Sequence, residues 1–384
     1  MQRFTESVHR FPGSLFRNCG IGMVMLTVLL AAKLPAADWS AESLPEYDQL
    51  FQRTNGWIGA DGNFAVTLTN GLTLWLFSDT WIGEVRDGHR RHATMIHNSA
   101  AWQRGIDPAR ARVEFFHGNS SDGNPAALIT PADGKGWFWL FDGVMTRGKL
   151  FLFLAQIEPT TGKGAFGFHQ TGTWLGEVSN PLAPPAQWHV TQQKIPFAQF
   201  GTNENYSFGS AVLATNGFVY IFGTRERKGE GKKMIMARAP ATNPGNFAAW
   251  QFRAHDDWTT NATGLADLCS GMASEYSVSW LPALRRYVLI CTENGLSEKI
   301  VARTATEPWG PWSAATVVYR CPEMARDRRT FCYSAKAHPM LAATPDELIV
   351  TYAANSFELA QVLNDAQLYW PRFVRVKPPA TVVR

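Results

Sequence analysis

Five apolar, β-rich octets recur along the chain: LTLWLFSD (72–79), KLFLFLAQ (149–156), GFVYIFGT (217–224), RYVLICTE (286–293) and ELIVTYAA (347–354). Their last residues are 77, 68, 69 and 61 positions apart. Most follow a turn signal: Thr69-Asn70-Gly71, Arg147-Gly148, Asn216-Gly217 and Pro345-Asp346. Asn-Gly between two β-rich runs is a strong hairpin signal, so each octet reads as the second strand of a hairpin.

A second repeat overlaps the first. Trp188, Trp250 and Trp312 stand 62 residues apart, each closing a segment of strand, proline-containing turn and tryptophan: WLGEVSNP…AQW, IMARAPATNP…AAW and IVARTATEP…GPW. These segments supply third and fourth strands to the middle units. Four strands repeated five times, with no convincing amphipathic helix between them, predict an all-β fold, a five-bladed β-propeller of four-stranded antiparallel blades around a central channel. LYWPRFVRV (368–376) is expected as an outer strand of the last blade. A pair of β-sandwiches leaves the constant interval near 62 unexplained.

The domain plan has three parts: an export signal over 1–36, a lead-in over 37–54 and a single propeller over 55–384. Arg3, Arg10 and Arg17 precede an apolar run from Ile21 to Ala32, and small residues lead to a cleavage point after Ala36 or Ala37. Twelve apolar residues fall short of the ~20 that a spanning helix needs. A secreted or periplasmic protein with no stable membrane insertion is expected. An uncleaved membrane anchor is the alternative.

Charge narrows the partners. The formal charge of +4 falls to about +1 once residues 1–36, with four basic residues and one acid, are removed. The runs RKGEGKK (227–233) and RDRR (326–329) are short and mixed in sign or length, so no nucleic-acid partner is indicated. Cys269, Cys291, Cys321 and Cys332 remain after cleavage, and an exported chain can pair them; Cys321–Cys332 is the expected loop staple. The cysteine spacing does not fit a zinc module.

A propeller gathers one segment of each blade at its channel entrance: GADG (59–62), WFWLFDG (137–143), YSFGS (206–210), SEYS (274–277) and AKAHP (335–339). Asp61 lies eleven residues before the first octet and Glu275 eleven before the fourth, which places both carboxylates at equivalent depth. Two facing carboxylates, one acid and one base or nucleophile, are what glycoside hydrolysis requires. Read blandly, Asp61 is a turn residue beside Gly62. Glu275, amid Tyr276, Val278 and Trp280, is costly to bury unpaired.

Asp142 opens the second blade's inner hairpin, on the same face as Asp61 by strand alternation, and is either a supporting carboxylate or a turn residue. Asp79 ends the first octet, where strand-end capping is the bland reading. His338 is read as the start of the fifth inner strand, facing the axis or buried in the core. His97, Asn98, Asn203, Glu204 and Asn205 are rim candidates. Among the 15 tryptophans, Trp57 and Trp81 are the candidate sugar-stacking pair, and Tyr276 a substrate contact. No Gly-x-Ser-x-Gly, Walker loop or His-Glu-x-x-His occurs, so serine, nucleotide and zinc chemistry are not indicated.

The combination NGWIGADGNFAVTL…TLWLFSDT, GSAVLATNGFVYIFGT, SEYSVSW, RTATEPWGPWS and AKAHPML…ELIVTYAANS, over about residues 55–376, resembles a family of secreted bacterial propeller domains, once known only as domains of unknown function, that includes endo-D-arabinanases. More distantly it is similar to five-bladed arabinanases and β-xylosidases. Those enzymes place an Asp base on blade one, a Glu acid on blade four, a modulating Asp elsewhere and a His near the axis on blade five. The resemblance implies Asp61 as base, Glu275 as acid and His338 as the axial histidine. YSFGS on the third blade departs from the pattern in lacking a carboxylate, so Asp142 takes the modulating role.

The expected protein is an exported, monomeric glycoside hydrolase acting on a polysaccharide or oligosaccharide. It needs no organic cofactor, with room for an axial Ca2+ or Na+ near His338. A non-catalytic carbohydrate-binding propeller is the second reading. A polysaccharide lyase using Tyr206, Tyr276 or His338 is the third.

Overall fold

The computed structural model describes residues 38–161 and 166–379. The expected export signal over 1–36 lies outside them. Among the described residues no helix is long and apolar enough to cross a membrane.

The chain forms an all-β propeller of successive antiparallel sheets. Blade 1 comprises Phe64–Thr67, Thr73–Phe77, Ser99–Arg104 and Arg112–Phe116. Blade 2 comprises Trp137–Thr146, Lys149–Pro159, Phe168–Val178 and Val190–Lys194. In blade 3, Glu204–Thr215, Phe218–Arg227, Lys233–Pro240 and Gln251–Arg253 form the core of a sheet that three short strands widen to seven. Blade 4 comprises Tyr276–Leu281, Arg286–Thr292, Lys299–Ala305 and Thr316–Arg320. Blade 5 comprises Thr330–Ala337, Leu348–Ser356, Pro371–Lys377 and, from the other end of the domain, Ser40–Ser43.

Every octet is a second strand, as expected. These strands are buried along almost their whole length; Thr73–Phe77 is buried at all five positions. A strand inside its sheet, with a neighbouring blade on each face, has no solvent side, so its sequence is continuously apolar rather than alternating. Two hairpins enter them through Arg147-Gly148 (φ 51° and 77°) and Asn216-Gly217 (φ 51° and 79°). Positive φ at both central residues matches the twist of the flanking strands.

The outermost strand of blade 5 corrects the sequence reading. Pro371–Lys377 is its third strand, and the fourth is Ser40–Ser43, paired antiparallel from Ser40 opposite Lys377 to Ser43 opposite Val374. The ring is thus closed by hydrogen bonds between the two ends of the domain. SAES is exposed at all four positions, so no hydrophobic pattern announces it. The rest of the lead-in is anchored through buried Leu44, Tyr47 and Phe51, packed with Trp57, Trp75 and Phe373.

The repeat tryptophans pack the blades. Trp250 is 1 % exposed and its indole N–H donates to Pro244 O (2.8 Å), while the Trp188 indole donates to Ala183 O (3.1 Å). Each thereby ties down the turn before its own fourth strand. The expected disulfides are not formed, and all four described cysteines carry free thiols. Cys291 sits in the core shared with Tyr276 and Met234, with the free thiol of Cys269 packed against the same core, and the neighbouring Cys332 thiol together with burial holds Cys321 protonated.

Three inner strands carry a bulge, between Leu140 and Gly143, between Phe208 and Ala211, and between Tyr333 and Lys336. A bulge breaks the alternation of side chains and re-aims those beyond it. This decides which polar groups reach the channel entrance.

Candidate active site

A pocket of about 860 Å³ opens at one end of the channel, toward the upper end of the range of about 300–1,000 Å³ usual for ligand sites. Asp61, Asp79 and Glu275 line it together. Asp61 lies between the strand Asn55–Ala60, which belongs to a separate three-stranded sheet, and the inner strand of blade 1. Its N–H donates to Asp79 O (3.2 Å) and its carbonyl accepts from Ser78 N (3.0 Å), which fixes the two aspartates side by side. Gly62 permits this closeness: its φ is 83°, and a Cβ there would lie 2.9 Å from the Ser78 nitrogen.

Blade 5 holds both outer carboxyls through neighbouring residues. The Tyr333 hydroxyl donates to Asp61 Oδ2 (2.6 Å), as does that of Tyr369 (2.9 Å). Asp61 Oδ1 is buried and has no hydrogen-bond partner among the described residues. Glu275 Oε2 accepts from Lys336 Nζ (2.6 Å) and lies 2.8 Å from Ser334 Oγ. That hydroxyl also lies 3.0 Å from Gly62 O, and its single proton serves one acceptor at a time. Ser334 sits in the bulge with φ 63°, a left-handed conformation uncommon outside glycine and concentrated at functional sites.

Lys336 is 1 % exposed, its ammonium 4.1 Å from the Phe64 ring centroid. Burial lowers its pKa, and the ion pair with Glu275 opposes the shift. The channel around it holds more acids than cations. Burial, then Asp79, drives the Asp61 carboxyl from 3.8 to about 8, with Glu275 adding and the tyrosine hydroxyls opposing. Asp61 therefore carries a proton at neutral pH. Asp79 Oδ1 accepts from the Trp139 indole (2.9 Å) and lies 2.9 Å from His97 Nδ1. Strongly shifted carboxyls in a cleft mark a candidate functional site.

Several expected site residues lie elsewhere. Asp142 falls within the bulge of blade 2, where alternation no longer holds, and its carboxylate accepts from Gly143 N (2.8 Å) and from Val212 N of blade 3 (2.7 Å). Burial raises it to about 7. It lines a separate cavity of about 400 Å³ with Lys336 and His338, not the carboxylate pocket. His338 follows the end of the fifth inner strand rather than starting it, and that strand runs away from the Tyr333 end. Its Nε2 lies 2.7 Å from Thr351 Oγ1 and its ring 4.9 Å from that of Trp75.

His338, where an axial ion was expected, has the Thr351 hydroxyl and the Lys336 ammonium as its polar neighbours. Burial, then the Lys336 ammonium, holds the imidazole pKa down to about 3, so the ring is neutral at physiological pH. Among the described residues no group of three or more His, Cys, Asp or Glu is arranged to hold a metal ion.

The remaining expected contacts are engaged with other residues of the protein. Trp57 is 4 % exposed and stacks on Phe115 (4.4 Å); Trp81 is buried with Ile58, Val362 and Tyr369. Asn98 is fully buried, bonding Ile129 and Phe138. The buried Tyr276 donates to Gly223 O (2.8 Å). Glu204 pairs with Arg227 (2.7 Å), and only its neighbour Asn205 reaches the pocket. Sequence reasoning missed Tyr333, Ser334, Lys336 and Tyr369. A lysine among the small residues of SAKA, inside a strand, was the available signal for Lys336.

Solved structures share the fold. A Bacteroides ovatus protein described provisionally as a hydrolase aligns over 88% of this chain and 90% of its own at TM-score 0.71 and 18% identity. A weaker similarity is to the catalytic domain of a Coprinopsis cinerea GH62 α-L-arabinofuranosidase (TM-score 0.48, 11% identity, 89% and 97% covered). Another is to a GH43_1 enzyme of Xanthomonas citri (TM-score 0.44, 14% identity, 86% and 92% covered). No curated protein matches. A family profile covers residues 45–378, almost the whole described domain, and the chain belongs to that family, DUF5005, a domain of unknown function.

Proposed function

We propose that this protein is an exported glycoside hydrolase acting on a furanose- or pyranose-containing polysaccharide of the arabinan type. One observation carries the reading: the carboxyls of Asp61 and Glu275, far apart in sequence, face one pocket and are held there by adjacent residues of a third segment, Tyr333 and Ser334. Export is inferred from the pattern of residues 1–36.

The electrostatics favour a division of labour opposite to the one implied by the resemblance. Asp61, whose hydrogen-bond donors are neutral hydroxyls and whose carboxyl faces Asp79 and Glu275, holds the proton. It is suited to protonate the leaving glycosidic oxygen as that oxygen's bond to the anomeric carbon breaks. Glu275, ion-paired with Lys336, is suited to take a proton from the water whose oxygen bonds to that carbon. Glu275 then returns its proton to solvent and Asp61 regains one, which closes the cycle.

The test is release of reducing ends from a panel of arabinan, arabinogalactan and xylan by the purified mature chain. Asp61→Asn and Glu275→Gln should each lower turnover about 10²–10⁴-fold. Retention of a polymer with no hydrolysis would instead assign a carbohydrate-binding module.

A further inference from the structure

Two files of aromatic rings descend from the pocket rim to the two aspartates. In one, Phe357 lies 4.6 Å from Phe331 and Phe331 lies 5.3 Å from Tyr333, whose hydroxyl bonds Asp61. In the other, Phe166 lies 6.2 Å from Phe168 and Phe168 lies 4.7 Å from Trp139, whose indole bonds Asp79. The files meet at the top, where Phe166 is 6.0 Å from Phe357 and 5.9 Å from Phe331. Phe166 and Phe357 are 52 % and 46 % exposed. Large exposed rings clustered beside a pocket are characteristic of a binding surface.

Blades 3 and 4 add polar groups to the same pocket, along with Phe200 and Leu296. Asn205, Glu226 and Lys232 from blade 3 and Asn294 from blade 4 line the pocket, with Glu226 and Lys232 in an ion pair (2.9 Å). A lipid or an apolar peptide would leave these polar groups unmatched. A sugar ring presents C–H faces and hydroxyls at its edge, which suits a pocket that carries both aromatic rings and polar groups.

We propose that the exposed rings of Phe166 and Phe357, backed by Phe168 and the buried Phe331, form an aromatic subsite that stacks a sugar unit remote from the bond being cleaved, so that the pocket selects extended glycan chains over single glycosides. This rests on the hydrolase reading above, and names the chain length that the site prefers. Remote stacking of this kind orients the chain across the carboxyls, and part of its binding energy is realised at the reacting bond.

The experiment compares wild type, Phe166→Ala, Phe357→Ala and the double variant on linear arabinan and on the matching aryl arabinofuranoside, with folding checked by thermal melts. A second readout is affinity electrophoresis in arabinan gels on the Glu275→Gln background, which needs no turnover. The expected result is a polymer-to-glycoside ratio of kcat/KM that falls about five- to tenfold per ring, mostly through KM, with matching loss of gel retardation. An unchanged ratio and retardation, with wild type active, would overturn the subsite and leave the hydrolase standing. A wild type that neither cleaves nor is retarded by any polymer of the panel overturns both.

Discussion

Asp61→Asn should stabilise the protein increasingly as pH rises from about 4 to 8. The folded protein holds the Asp61 proton up to about pH 8, chiefly because the carboxyl is buried and faces Asp79, whereas the unfolded chain releases it near 3.8. The folded pKa is raised, so the folded state binds a proton that the unfolded state has lost throughout that window. Each pH unit within it costs folding about 1.4 kcal/mol. At pH 7 the cost is on the order of 4 kcal/mol, and below pH 4 it all but vanishes. Asparagine does not titrate and removes the whole dependence, while its amide oxygen still accepts from Tyr333 and Tyr369. Urea unfolding of wild type and variant at half-unit steps from pH 4.5 to 8.5 measures the difference directly. The two curves should diverge with pH, the variant lying above. Parallel curves across the range would refute a buried, protonated Asp61.

Three further outcomes follow from the same contacts. The alkaline limb of kcat/KM should fall near pH 8, where Asp61 loses its proton, and Asp79→Asn should move that limb to lower pH by removing a neighbouring negative charge; a pH–rate series on both proteins reads the shift. Glu275→Leu strands the Lys336 ammonium, which is buried beside Phe64, and should cost about 3–5 kcal/mol in chemical denaturation, most of it recovered on adding Lys336→Met. Removing residues through Ser43 deletes the closing strand of blade 5 and should lower stability by about 2–4 kcal/mol, from about 1 kcal/mol for each ladder hydrogen bond, measured by thermal melting of the trimmed chain.

Sequence legibility followed burial. The octets stood out because second strands are covered on both faces and write continuous apolar runs, and Asn216-Gly217 fixed a hairpin by its positive φ values. SAES escaped notice because an exposed four-residue strand carries no hydrophobic signal and gains its place only by pairing with the far end of the domain. At the site, equal offsets from the octets correctly drew Asp61 and Glu275 to one pocket. The same arithmetic misplaced Asp142, because the bulge between Leu140 and Gly143 resets the alternation on which it relied. Trp57, Trp81 and Asn98 are residue types as common in a core as in a binding cleft, and here they build the frame. Lys336 was hidden by its bulge, which turns Tyr333, Ser334 and Lys336 to neighbouring acids from positions that regular alternation would split between faces.

The account stands on Asp61 and Glu275 acting as one unit on one bond. Turnover of the Asp61→Asn/Glu275→Gln double variant, set against both single variants on the polymer that wild type cleaves, measures that most directly. Groups that serve a single step are grossly non-additive, so the double variant should be no slower than the more damaged single, within about threefold. Losses that multiply, or a single variant that keeps wild-type turnover, would contradict it.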